Sequence, residues 1–132
     1  MRRIAIDAMG GDYAPAEVVK GSVAAARKGG VAIILVGPAA AVQAELNKHD
    51  ISGLSITVVN ADEVIMEGEP PALAMRQKRN ASVVVATKLV KKGEADAVVS
   101  AGPTGAVVAS ALMILGAPEG VERPVVGGNF LG

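Results

Sequence analysis

The chain has 132 residues, and thirteen lysines and arginines are balanced by thirteen acids, so no basic excess points to nucleic acid. It holds no cysteine and only one Tyr and one Phe, which excludes disulfides, thiolate nucleophiles, Cys-ligated metals and base-stacking platforms. Hydrophobic residues make up 51% and sixteen are Gly, a composition suited to thin helices packed closely on a Val/Ile-rich sheet in one domain over 1–132.

The first element is the run "RRIAIDAM", a short strand apolar on both faces, as expected of a parallel strand covered on both sides. Its apolar run stops at Asp7, so it does not read as a secretory leader, and a cytoplasmic location is expected. Gly10 and Gly11 follow, then Asp12, and Pro15 fits the first turn of a helix reaching about Lys28, with Gly29-Gly30 as its stop. "VAIILVG" predicts a second strand, "PAAAVQAELNKHD" a second helix and "LSITVVNA" a third strand.

From Asp62 to Asn80 the pattern is irregular, because Pro70 and Pro71 remove two donors and push the preceding residues extended. A helical period returns over Ala81 to Lys92, with Val83, Ala86 and Val90 on one stripe. "ADAVVSAG" predicts a fourth strand and "TGAVVASALMILGA" a further helix, with "RPVVGGNF" as a candidate fifth strand. The uncharged stretch from Ser100 to Pro118 approaches the roughly 20 residues needed to span a bilayer, but its glycines and Pro103 make a buried helix the better reading.

Strand and helix alternate throughout, which predicts a three-layer α/β/α arrangement around a mostly parallel sheet of about five strands. Ligands of such sheets collect outside the carboxyl ends of the strands. Two stretches lie there: Asp7 through Asp12, and Ser100 through Gly105. In "AGPTGA", Gly102 and Gly105 let backbone amides approach a phosphate, and Thr104 can cap the helix or donate to the anion. The same residues also suit an ordinary strand-to-helix turn. Asp7 and Asp12 can orient a substrate group or brace the first turn, and as a metal pair they are weak.

The only histidine, His49, sits in "NKHD" at a helix end, and no Ser-His-Asp arrangement can be built on it. "RQKR", Arg76 to Arg79, is either a solvated charge run or an anion-binding patch, with Glu69 as a partner within reach. So few acid–base groups favour chemistry by positioning and electrostatic stabilisation. A dinucleotide-binding half is disfavoured, since the first turn reads "AMGGD" where GxGxxG is required.

Taken together, these stretches resemble bacterial phosphate acyltransferases, the acyl-ACP:phosphate enzymes of phospholipid synthesis. "IAIDAMGGDYAP" is similar to that family's "DAMGGDHAP" signature, and "GEADAVVSAGPTGA" to its "GEADAxVSAGNTGA". "EPPALAMRQKR" follows its Glu-x-Pro-x-x-Ala-x-Arg-x-Lys-Lys pattern through Glu69, Pro71, Ala74, Arg76, Lys78 and Arg79. Arg123-Pro124 falls where the family has an Arg-Pro. Tyr13 stands in place of the usual His and Pro103 in place of the usual Asn.

The resemblance implies the N-terminal portion of a longer enzyme that moves a fatty acyl group from acyl carrier protein to inorganic phosphate. It implies no nucleotide or organic cofactor, a homodimer, and peripheral membrane association. It also implies a fold like that of phosphotransacetylases and isopropylmalate dehydrogenases. On this reading Gly10, Gly11, Gly102, Thr104 and Gly105 cradle the phosphate beside Ser100. Arg76 neutralises charge, Asp7 orients the loop, and Lys78 and Asp12 take part directly. The alternative is a non-catalytic phosphate-binding or dimerisation module of the same family.

Overall fold

The computed structural model describes residues 1–121. Four strands, β1 (Arg2–Asp7), β2 (Val31–Gly37), β3 (Ile56–Asn60) and β4 (Ala97–Val99), form one sheet in the order β3-β2-β1-β4. Every pairing is parallel, and Ile6 of β1 lies opposite both Leu35 and Val99. The candidate fifth strand near Arg123 lies outside the described residues.

Alternation along each strand sends successive side chains to opposite faces, and both faces are apolar here. One face carries Ile4, Ile6, Ile33, Leu35 and Val58, packed against Val19 and Val23 of α1 (Ala16–Lys28) and Val42 and Leu46 of α2 (Ala39–Leu46). The other carries Ala5, Ile34, Val36, Val59 and Val98 against Ala86 and Leu89 of α4 (Ser82–Lys91). Three layers follow from that division. Fully burying each such Val or Leu contributes about 1.5–3 kcal/mol, so the two faces together dominate the stability.

Two smaller helices complete the second face. α3 (Pro71–Gln77) and α5 (Thr104–Ser110) pack with α4 around Ile65, Met75, Val84 and Ala106. α5 continues into a widened π turn, Ala111–Leu115. α3 corrects the expectation of irregular chain through this region. Pro71 occupies the first helical position, where its missing N–H leaves no bond unmade, and Pro70 before it is extended at ψ 117°. The two prolines start a helix where they were expected to forbid one.

Local capping fits the layers together. α2 begins after Pro38 with no side-chain cap of its own, and the Ala39 N–H donates instead to Asn60 Oδ1 at the end of β3, at 2.9 Å. His49 lies just past α2, its backbone N–H donating to the Leu46 carbonyl. Among the described residues, no helix is long and apolar enough to cross a membrane.

Candidate functional site

The strand order has one reversal. The chain moves outward from β1 through β2 to β3, then returns to place β4 on the other side of β1. Loops leaving β1 and β4 therefore diverge onto different faces and open a crevice at the carboxyl ends of these two strands, the usual ligand position of an open α/β sheet. The two glycine-rich stretches picked out in the sequence are those loops.

They meet in direct contact. A Cβ built on Gly10 would lie 2.8 Å from the Gly102 nitrogen and 2.9 Å from that of Ala101, so only glycine allows this approach. Gly11 has φ 100°, in the left-handed region, and lies against Ala101. Beneath the contact, the Asp7 carboxylate is 4% exposed and serves as a common anchor. Its Oδ1 accepts from the Ser82 hydroxyl at 2.5 Å and the Met9 amide at 3.1 Å, and its Oδ2 from the Ser100 hydroxyl at 2.7 Å. Ser100 Oγ in turn accepts from the Gly102 amide at 3.1 Å. One buried carboxylate thus ties the β1 loop, the start of α4 and the β4 loop together, and a buried charge so fully hydrogen-bonded is stable where an unpaired one would not be.

Above this anchor lies an open cleft of about 160 Å³, lined by Met9, Gly11, Asp12, Ala101, Gly102 and Pro103 from the two loops and by Val64 to Glu67 opposite. A cavity needs only about 10–15 Å³ on this measure to hold one water, so a tetrahedral oxyanion has room. The amides of Gly11, Asp12 and Ala101 have no acceptor among the described residues. The Gly10 and Gly102 amides are already engaged, by the Asp7 carbonyl and Ser100 Oγ. Among the described residues, two carboxylates, Asp12 and Glu67, line the cleft, and no cation does.

The remaining sequence candidates fall in different places. Lys78 is half-buried and lies behind the far wall, its Nζ donating to the Val64 carbonyl and to Glu69 Oε2, each at 2.8 Å. Glu69 also accepts from the Met66 amide at 2.6 Å. These contacts, Lys78 first, hold the Glu69 carboxyl below its usual range. The pair therefore pins the Val64–Glu67 wall. Arg76 lines a different cavity, on the flank of α3 and α4. Thr104 is exposed at the first position of α5 and makes no capping hydrogen bond. Gly105 faces away from the cleft: a Cβ there would lie 2.8 Å from Pro71 Cγ, so it serves the close packing of α5 on α3.

Two features escaped the sequence reading. Ser82 belongs to no motif, and its partner Asp7 is 75 residues away. The Val64–Glu67 wall carries no motif, and only the Glu69–Lys78 pairing, anticipated from charge, hinted at a fixed loop.

A parallel three-layer sheet with its crevice between β1 and β4 defines a protein of the phosphotransacetylase fold class. EutD phosphotransacetylase from Staphylococcus aureus matches it with a TM-score of 0.61 at 24% identity, over 92% of this chain and 40% of that one. The chain belongs to the family described as "Fatty acid synthesis protein", which matches residues 2–130. Among relatives, it is similar to the "Phosphate acyltransferase" of Herpetosiphon aurantiacus, 55% identical over 97% of this chain and 35% of that protein. It is also similar to the "Phosphate acyltransferase" of Desulforamulus reducens, 53% identical over 96% of this chain and 38% of that protein. The chain thus spans little more than a third of the length of these relatives.

Proposed function

We propose that this chain carries the phosphate-holding cleft of an enzyme that transfers a fatty acyl group from acyl carrier protein to inorganic phosphate. The observation that carries the reading is the contact of Gly10 with Ala101 and Gly102, which builds one cleft from two glycine-lined turns. The name of the relatives, phosphate acyltransferase, supports phosphate and an acyl group as substrates, and the resemblance of the sequence motifs supports acyl carrier protein as the donor.

In the reaction a phosphate oxygen attacks the thioester carbonyl carbon. The tetrahedral intermediate collapses with cleavage of the C–S bond, leaving acyl phosphate and the carrier thiolate, which takes up the proton that the phosphate loses. No redox change and no cofactor is needed. The amides of Gly11, Asp12 and Ala101 donate to the ion, and the Asp12 carboxylate accepts a hydrogen bond from its remaining P–OH group, which orients the attacking oxygen. Lys78 acts through the wall, holding Val64 at a fixed distance and bringing one ammonium behind the cleft. Asp7, with Ser82 and Ser100, keeps the two turns in register and does not touch the ion.

A second reading rests on the lining itself. Among the described residues two carboxylates and no cation face the cleft, so this part can be a binding module whose neutralising groups come from elsewhere. Two measurements on the isolated chain separate these readings. Acyl phosphate formed from acyl carrier protein and phosphate supports the enzyme, and saturable phosphate binding without turnover supports the module. If phosphate leaves the amides of Gly11, Asp12 and Ala101 unmoved, both readings fall.

A further inference from the structure

The run "RQKR" separates in the fold. Lys78 turns inward to Glu69 and Val64, whereas Arg76 and Arg79 turn to the opposite flank and meet Lys88 of α4. There the three cations line a concavity of about 220 Å³, whose other lining residues are Met75, Val84, Met113 and Ile114. Met75 and Val84 are buried and form its floor, while Met113, on the π turn, is 48% exposed at its edge. None of the three cations is within ion-pair distance of a carboxylate among the described residues. This concavity shares no lining residue with the cleft at the sheet's rim.

We propose that this second concavity binds a single-chain amphipathic anion, an alkyl or acyl group ending in a phosphate or carboxylate. The match is double. Arg76 and Arg79 present planar forks suited to an oxyanion, and Lys88 adds a third positive charge. The thioether and aliphatic surfaces of Met75, Met113 and Ile114 suit several methylenes, and methionine adapts to chains of varying shape. A small inorganic ion would leave the apolar wall bare, and a neutral hydrocarbon would leave three charges without partners. The concavity is open to solvent and has room for a headgroup and a short stretch of chain. A concavity of this size suits one chain entering from solvent better than a flat lipid surface. The inference stands apart from the phosphate cleft, because no residue is shared.

Alkyl phosphates of four, six and eight carbons, kept below micelle formation, test it on the whole chain with labelled Met and Ile methyls. The expected result is saturable movement of the Met75, Met113 and Ile114 methyls. Affinity should rise about fourfold for each added methylene until the concavity is full. Arg76→Ala and Arg79→Ala should each weaken octyl phosphate about tenfold, and Lys91→Ala, on the exposed side of α4, should leave it unchanged. Because Arg76 and Arg79 are exposed, both variants should keep the parent's melting temperature. Three results would overturn the proposal. One is a series flat in chain length, with inorganic phosphate as effective as octyl phosphate. Another is equal binding of an octyl ammonium, which would mark mere apolar surface. The third is movement only with anionic lipid vesicles, which would mark a membrane contact instead of a site for a free chain.

Discussion

Replacing Gly10 with alanine tests the contact on which the cleft depends. The added Cβ would lie 2.8 Å from the Gly102 nitrogen, about 0.6 Å inside the 3.4 Å at which ordinary contact begins. The obstructing atoms are backbone, and Gly102 is held by Ser100, which is held by Asp7, so nothing nearby can swing aside. The turns must part. Overpacking of this kind costs about 1–3 kcal/mol, and loss of the Gly102 to Ser100 hydrogen bond adds about 1 kcal/mol. For a domain of this size that lowers the melting temperature by on the order of 7–14 °C. Gly21 supplies the control. It lies within α1 with nothing inside 4 Å of an added Cβ, so Gly21→Ala should stabilise by about 0.5–1 kcal/mol. Thermal and urea unfolding of the two variants should show opposite signs. If Gly10→Ala is as stable as the parent and still binds phosphate, the two turns do not abut and the cleft has been misread.

Other consequences follow from the same contacts. Asp7→Asn sets an amide donor among three donors and should cost about 1–3 kcal/mol, with the Ser100 and Gly102 amide resonances displaced. Gly105→Ala should loosen α5 from α3 by a similar amount through its clash with Pro71, yet leave phosphate binding at the cleft intact. The acid dependence of stability has a defined sign. Glu69 and Asp96 are held below their ordinary values of 4.5 and 3.8, chiefly by hydrogen bonds from Lys78 and Arg3. Their contribution is present above those values and is lost as pH falls through the lowered folded-state values, so urea midpoints should drop in that window. Lys78→Met should move the Glu69 titration upward by carboxyl NMR, and an unmoved titration would show that the pair does not form.

Much of the layering was legible because it rests on local pattern. Apolar strands such as "VAIILVG" and helical stripes such as Val83 and Ala86 report their own burial, and Gly29 ends α1 as expected. The prolines at 70 and 71 misled, since the same missing N–H that breaks a helix interior is harmless at its first position. The site was half legible. Glycines following strands marked both turns, but their contact depends on strand order, which no local pattern encodes. For the same reason Asp7 could be flagged while Ser82 could not. Gly105 shared a motif with cleft residues and Arg76 one with the Glu69–Lys78 pair behind the wall, yet helix geometry turns one toward Pro71 and the other to the flank. Adjacency in sequence placed them near the site without aiming them into it.

A titration of isotope-labelled protein with inorganic phosphate addresses the cleft most directly. The amides of Gly11, Asp12, Ala101 and Gly102 should shift together and saturate, and Gly10→Ala should abolish that response. Shifts confined to the Arg76 and Arg79 flank, or no saturable shift in either turn, would contradict the account.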